Sequence, residues 1–377
     1  MLHITAGNIY GGIERTLETV ALESDACSRM KSEIAVCYRG RFASEIEAAG
    51  LPVHYLGETR ARKPWTVMRA RQALDRVIQD RKIDVIVTHA SWPHAMFAPV
   101  GKRRGIPVVL WLHAAFRGKT WLERWAARTS ADAVIFNSRF TGSKSQLPSW
   151  QIPTKVIYNP VRHQTVSDGQ ERVDRITTRR ELGVGVDDFV IAHIARIENL
   201  KGHALLLSAL ALLPAESQWV CWVVGASASL EGDQLLKELK ESAQMLGISD
   251  RIRFLGERSD IAHILAASDA LVQPNIEPDA FGNAVIEALW HRLPVIATDM
   301  GGPAEILASD YGVLVPPADP VALSAAIGKL ISSPTSMDEL RERGPRRAFE
   351  LCDPAIQLNK LCSFFEDVVR HRSGSTP

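Results

Sequence analysis

No two of the five cysteines (Cys27, Cys37, Cys221, Cys352, Cys362) form a C-x-x-C pair or take up metal-ligand spacing. They read as reduced and buried, which disfavours a disulfide scaffold or a zinc module and points to a cytosolic protein. No run of about twenty apolar residues occurs, so no spanning helix is expected. Met1-Leu2-His3-Ile4-Thr5-Ala6-Gly7 also lacks the basic lead and apolar stretch of a signal peptide. A G-x-G-x-x-G fingerprint is missing, and the second strand, Ile34 to Tyr38, ends at Arg39 where a dinucleotide fold would place an acid for the ribose. A dinucleotide-dependent dehydrogenase is therefore disfavoured.

What is present is a chain of 377 residues, too long for one ordinary core, so two domains are expected. Its net charge of +1 hides an asymmetry: residues 1–165 hold 24 Lys+Arg against 13 Asp+Glu, and the remainder 20 against 30. The first half should meet something anionic, and nucleic acid and an acidic membrane surface both fit that charge.

Strand and helix patterns alternate throughout. In the first half strands are expected at Leu2 to Ala6, Ile34 to Tyr38, Val53 to Leu56, Val85 to Thr88, Val108 to Leu112, Val134 to Asn137 and Val156 to Tyr158, with a helix from about Thr66 to Asp80. Residues 163 to about 180 are polar and aperiodic and read as the interdomain linker. A second series follows: strands at Phe189 to Ala195, Trp219 to Val224, Ile252 to Leu255 and Ala270 to Gln273, with helices from about Gly202, around Asp233 to Leu246 and at Ile261 to Ala267. A helix from Pro320 to about Ile331 and a final amphipathic helix from about Pro354 to Arg370 close the chain, and Ser373 to Pro377 reads as a disordered tail. This rhythm predicts two parallel sheets covered on both faces, with chemistry on the loops at the strand C-termini.

The most informative loop is Glu277-Pro278-Asp279-Ala280-Phe281-Gly282-Asn283, which runs into the helix Ala284 to Trp290 and then the strand Pro294 to Thr298, closed by Gly301-Gly302. Helix N-termini carry unpaired N–H groups and a positive dipole end, so the amides of Phe281, Gly282 and Asn283 could hold a phosphate. Equally, Asp279 could be an ordinary N-terminal cap and Glu287 an ordinary helix acid. His89 and His113 fall at strand ends, where a structural role is the commoner one for a single histidine. Trp121 and Trp125 stand four residues apart among Arg117, Lys119, Arg124 and Arg128, and Trp65 opens a stretch that also holds Arg60, Arg62, Lys63, Arg69, Arg71, Arg76, Arg81 and Lys82. These segments fit an anionic membrane or lipid-phosphate contact slightly better than a core-facing pair with solvated basic flanks.

Taken together, these motifs give the chain an end-to-end resemblance to retaining glycosyltransferases of family 4. Asp279 and Glu287 are separated by seven residues around Phe281-Gly282, and Glu287-Ala288, the strand Pro294-Val295-Ile296 and Gly301-Gly302 follow, as in that family's signature. The family's first acid is a glutamate, whereas here it is Asp279, with Glu277 two residues earlier; spacing favours Asp279. Arg196-Ile197-Glu198-Asn199-Leu200-Lys201-Gly202 is similar to the family's Arg-x-x-x-x-Lys-Gly, Gly11-Gly12-Ile13-Glu14 to its N-terminal double glycine, and Asn159-Pro160-Val161 to its Asn-Gly-Val.

The resemblance implies an α/β protein of GT-B fold, with two doubly wound Rossmann-like domains facing a central cleft. Residues 1–163 would bind the acceptor and 164–353 the nucleotide sugar, with a helix at 354–372 crossing back to the first domain. Arg196 and Lys201 would neutralise the donor diphosphate, Asp279 or Glu277 would accept a sugar hydroxyl and Glu287 the ribose hydroxyls, and Gly11, Gly12 and His113 would line the donor from the other side. The implied reaction is retaining and metal-independent, of the hexosyltransferase type, because two fixed cations can stabilise the departing diphosphate. No cofactor is expected; the donor would be a UDP-sugar or GDP-sugar. The acceptor would be a lipid-linked saccharide or glycolipid of cell-surface polysaccharide synthesis, at the cytoplasmic face of a membrane and without nucleic acid. A nucleotide-sugar epimerase of the same fold, or a decayed nucleotide-sugar-binding protein, is the rival reading.

Overall fold

The computed structural model describes residues 1–163, 168–185 and 187–373. Their contacts divide the chain into two units, Met1–Arg162 with Cys352–Pro377, and His163–Leu351. All strands in both units pair in parallel.

In the first unit the strands are β1 (Leu2–Thr5), β2 (Glu33–Val36), β3 (Val53–Tyr55), β4 (Ile86–His89), β5 (Val108–Leu112), β6 (Ala133–Phe136) and β7 (Thr154–Val156). They form one sheet in the order β3-β2-β1-β4-β5-β6-β7, so the direction of winding reverses between β1 and β4. Because successive side chains point to opposite faces, the near-continuous apolar strands feed two cores. Ile86, Val108 and Leu110 pack on one side with the helices Pro64–Arg81 and Ser91–Arg103. Val87, Val109 and Trp111 pack on the other with Leu358, Leu361, Phe365 and Val368 of the helix Pro354–Ser373. These four helix positions recur at helical spacing, and burying each contributes roughly 1.5–3 kcal/mol relative to leaving it exposed.

The second unit holds β8 (Phe189–Ile194), β9 (Trp219–Val224), β10 (Ile252–Gly256), β11 (Ala270–Gln273), β12 (Val295–Thr298) and β13 (Val313–Val315) in the order β10-β9-β8-β11-β12-β13. Its winding reverses between β8 and β11. Open sheets of this kind bind ligands beyond the strand C-termini at such a reversal. Among the described residues no helix is long and apolar enough to cross a membrane.

The stretch expected to be a linker is largely a helix, Asp168–Glu181; residues 164–167 lie outside the described residues. Among its described side chains, Arg175 and Arg179 turn guanidinium ends toward the neighbouring helix, which hydropathy does not register. Arg179 donates to Ala267 O, Asp188 O and Asp269 Oδ2, while Arg175 donates to Ala266 O, Ser268 O and Asp269 Oδ1. Asp269 also accepts from Val190 N, so one carboxylate ties this helix to the start of β8. These guanidiniums satisfy carbonyls at the end of the helix Ile261–Ala267 that would otherwise lack partners.

In the basic and tryptophan-bearing segments the side chains divide between the core and the surface. Arg71 donates to the carbonyls of Met96 and Ala95, and Arg81 pairs with the buried Glu33. Trp121 is 55% exposed, whereas Trp125 packs against the core.

Arg179 keeps only 3% of its side chain exposed, against 34% for Arg175. Removing one partner of a buried pair typically costs about 3–5 kcal/mol, so Arg179→Ala should destabilise the second unit by that amount. Arg175→Ala should cost about 1 kcal/mol or less. Denaturant unfolding of the two variants measures the contrast.

Candidate active site

In the second unit the site residues converge because backbones meet where side chains would not fit. After β8 the chain passes Arg196, makes a tight turn over Asn199–Lys201 and reaches Gly202 at φ +74°. A Cβ there would collide with Pro274 O, just beyond β11. Only glycine combines that left-handed conformation with so close an approach. Ile276 N donates to Leu200 O at 3.0 Å, Gln273 Nε2 to Ile194 O at 2.9 Å and Thr298 Oγ1 to Asn275 O at 2.9 Å. The loops after β8 and β11 and the end of β12 are thus laced into one edge.

The double glycine does the same for the acid loop. A Cβ at Gly301 would strike the backbone of Asp279, and one at Gly302 the backbone of Phe281; Gly302 N donates to Asp279 O at 2.8 Å. Clasped in this way, Asp279 accepts a hydrogen bond from Lys201 Nζ at 2.5 Å. The side chains of the pair are 28% and 15% exposed. Burial pushes the Asp279 carboxyl up, but the charge and hydrogen bond of Lys201 and the amides of Ala280 and Phe281 outweigh it and hold it below the ordinary value of 3.8. In the ligand-free chain the Phe281 amide thus faces Asp279, and the Phe281 ring is buried.

Gly282 caps the helix Asn283–Trp290, on which Glu287 is half-buried one turn beyond Asn283. Glu277 is exposed. Arg196 Nη1 pairs with Glu198 Oε1 at 2.9 Å. Glu198 was not singled out from the sequence, although it sits inside the Arg-x-x-x-x-Lys-Gly segment. Two buried histidines underlie this edge. His193 Nδ1–H donates to Val272 O, and its ring meets that of His203 edge-on with centroids 4.5 Å apart. Burial pushes His203 down to about 4 against an opposing hydrogen bond with the Glu198 backbone, and burial followed by the neighbouring His203 pushes His193 well below its ordinary value, so both are neutral beneath the Lys201 turn.

The first unit carries the remaining expected residues. The helix Gly12–Leu22 begins just after Gly11, and Glu14, buried, accepts from Gly11 N at 3.2 Å and from Thr5 Oγ1 at 3.3 Å. An acid at the third helical position thereby anchors the glycine loop. His113, just past β5, ends a row of three imidazoles: His3 Nδ1 lies 3.0 Å from His89 Nε2, and His89 Nδ1 lies 2.9 Å from His113 Nε2. Desolvation lowers His3 and His113 to about 3, and desolvation followed by its two imidazole neighbours lowers His89 well below its ordinary value. All three are neutral near pH 7. His3 escaped notice in the sequence because nothing marks it off from a core strand position.

Two family models match this chain: Glycosyl transferases group 1 over residues 174–347, and Glycosyltransferase Family 4 over residues 10–165. The chain belongs to glycosyltransferase family 4. This family 4 chain is 34% identical over 187 residues to a D-inositol 3-phosphate glycosyltransferase of Corynebacterium urealyticum, covering 48% of this chain and 43% of the relative. It is 30% identical over 228 residues to the lipopolysaccharide core biosynthesis mannosyltransferase LpcC of Rhizobium leguminosarum, covering 60% and 61%. Both alignments span less than two thirds of the relative's own length. In fold, it matches the crystal structure of Anabaena Alr3699/HepE in complex with UDP-glucose, with a TM-score of 0.83 at 23% identity over 97% of this chain and 98% of that one. Two parallel-sheet Rossmann-like domains of the GT-B class are the architecture of this family 4 member.

The depressed Asp279 has a consequence for stability. A carboxyl held below its unfolded value contributes stability that is present above that value and lost as pH falls through the folded one. The stability advantage of the wild type over Asp279→Asn should therefore be full above pH 3.8 and shrink below it. Urea unfolding of both proteins between pH 7 and pH 3 checks this, and a gap independent of pH would contradict it.

Proposed function

We propose that this chain is a retaining, metal-independent glycosyltransferase that moves a hexose from a UDP-sugar or GDP-sugar to a hydroxyl of a lipid-linked saccharide or glycolipid. The observation that carries this reading is the Lys201–Asp279 pair, held at the switch point of the second sheet by backbone contacts that only glycines allow. Each cation of the expected diphosphate grip already faces a carboxylate, Lys201 with Asp279 and Arg196 with Glu198. An incoming diphosphate would take over these cations, and Asp279, relieved of its partner, would turn its acceptor oxygens to a sugar hydroxyl. Glu287 would accept the ribose hydroxyls, and Gly11, Gly12 and His113 are read as ligand contacts of the first unit.

In the reaction the bond from the anomeric carbon to the diphosphate oxygen breaks and a bond to the acceptor oxygen forms on the same face. The acceptor's proton passes to the departing phosphate, so no protein base is required. Arg196 and Lys201 gain most where the leaving diphosphate gains charge, which favours the transition state over the ground state. The relatives' names mention D-inositol 3-phosphate and the lipopolysaccharide core, a polyol and a saccharide, which supports a hydroxyl acceptor.

A membrane contact on the first unit is favoured by three exposed apolar side chains in its basic segments: Trp65 at 57%, Met68 at 62% and Trp121 at 55%. Amphipathic segments with tryptophan on one side and cations on the other suit an anionic interface.

Lys201→Ala and Arg196→Ala should each cost about 2–4 kcal/mol in kcat/KM with the fold retained, measured with radiolabelled nucleotide sugars and a membrane extract. Wild-type rates would remove the diphosphate assignment. Loss of transfer in Glu277→Gln but not in Asp279→Asn would move the sugar contact to Glu277. Turnover of the donor without any acceptor would favour the epimerase, and nucleotide binding without transfer the decayed protein. Replacing Trp65 and Trp121 with Ser should release the protein from vesicles containing anionic phospholipid; undiminished binding would contradict the membrane contact.

A further inference from the structure

The three linked histidines of the first unit lie on one diagonal of the sheet. Parallel register sets His3 of β1 opposite Val87 of β4, and His89 of β4 opposite Trp111 of β5. Each histidine thus sits two residues further toward the strand C-termini than the residue facing its predecessor. Positions two apart share a face, so His3, His89 and His113 project on the same side of the sheet and step toward its C-terminal edge. Trp111, on that same face, covers the row. Its ring centroid lies 5.1 Å from that of His89 and 5.4 Å from that of His113, and 6.5 Å from that of His3. His3 and His89 are 0% and 1% exposed, and only His113 reaches partial exposure.

A neutral imidazole has one N–H donor and one bare nitrogen acceptor. Three of them joined Nδ1 to Nε2 twice have only two self-consistent arrangements. In the first, His3 Nδ1–H donates to His89 Nε2 and His89 Nδ1–H donates to His113 Nε2, so the proton of His113 is on Nδ1. In the second every bond is reversed, His113 keeps its proton on Nε2, and His3 is left with an N–H on its own Nε2. That atom is buried and has no hydrogen-bond partner among the described residues. The second arrangement strands a buried donor there, the first only a lone pair. Buried N–H groups without partners are rarer than under-used acceptors and cost the full desolvation of the group.

We propose that His3 and His89 are positioning residues that hold His113 in its Nδ1–H tautomer, so that the ring offers a hydrogen-bond donor at the C-terminal edge of the first sheet. Such a donor selects an oxygen acceptor, either a sugar hydroxyl oxygen or a phosphate oxygen, and disfavours a ligand N–H at the same place. The choice of a donor-sugar oxygen rests on the glycosyltransferase reading above, whereas the tautomer does not. The same row makes the orientation of His113 depend on two residues buried behind it, as second-layer partners commonly fix which ring nitrogen carries the proton.

The test is nitrogen-15 NMR of histidine-labelled, ligand-free full-length protein, in which the two ring nitrogens of each tautomer have distinct shifts. The expected result is a protonated Nδ1 and a bare Nε2 on His3, His89 and His113; the opposite tautomer or an even mixture on His113 overturns the proposal. His89→Leu should release His113 into a mixed population, and His89→Asn, whose amide N–H can replace the ring donor, should restore the single tautomer. An unchanged His113 spectrum in His89→Leu would overturn the role of His89. Should His89→Leu fail to fold, His3→Phe and the wild-type spectrum decide the same question. In turnover, His89→Leu should lower kcat/KM about five- to tenfold, the weight of one hydrogen bond, with rescue by Asn. If the tautomers are as stated but His113→Ala turns over at the wild-type rate, the positioning stands and the placement of His113 at the donor sugar fails.

Discussion

The second unit depends on the close approach of backbones at the edge where β8, β11 and β12 end. Gly202 against Pro274 and Gly301-Gly302 against the 279–281 loop bring separate loops into contact, and the Lys201–Asp279 pair, whose members are 78 residues apart, exists only because of that approach. A methyl group at either place would separate the cation from the acid. The ion pair is mostly buried, so the cost of desolvating both charges offsets much of their attraction and its net contribution to stability is modest. Its importance is positional: a carboxylate kept charged next to an ammonium, on rigid loops, over neutral buried histidines that add no competing charge.

The same distinction between a charge and its use runs through the rest of the molecule. The excess of cations in residues 1–165 suggested an adhesive surface, yet Arg71 is spent on main-chain carbonyls and Arg81 on Glu33. Conversely, the polar segment that resembled a linker folds as a helix because Arg175 and Arg179 insert into the carbonyl end of a neighbouring helix. Charged residues report solvent exposure only when no buried partner is in reach, and partners distant in sequence are invisible to periodicity.

Much of the fold was legible nonetheless. The strands at Val108–Leu112, Trp219–Val224 and Ala270–Gln273, and the helix Ile261–Ala267, begin and end where apolar runs and flanking polar residues place them. Others shifted by one or two residues, as at β7, which spans Thr154–Val156 while Ile157 stays buried beyond it. The helix Ser91–Arg103 was not foreseen, since Pro93, Pro99 and Gly101 punctuate it. Its burial of Met96, Phe97 and Val100 against the sheet overrides those breaks.

The sequence by itself determined the parallel α/β class, because buried β-branched strands separated by helical stretches admit few other arrangements, and it marked the acid, glycine and cation motifs by their local spacing. Only the tertiary structure decided what those residues face. Asp279 meets Lys201, Arg196 meets Glu198, the Phe281 amide turns to Asp279, and His3, His89 and His113 line up across three strands. The Lys201–Asp279 pair and the histidine row depend on strand register and on how closely two backbones can approach, properties of pairs of segments that no single stretch of sequence contains, whereas Arg196–Glu198 and Asp279–Phe281 are settled by the local turn of one loop.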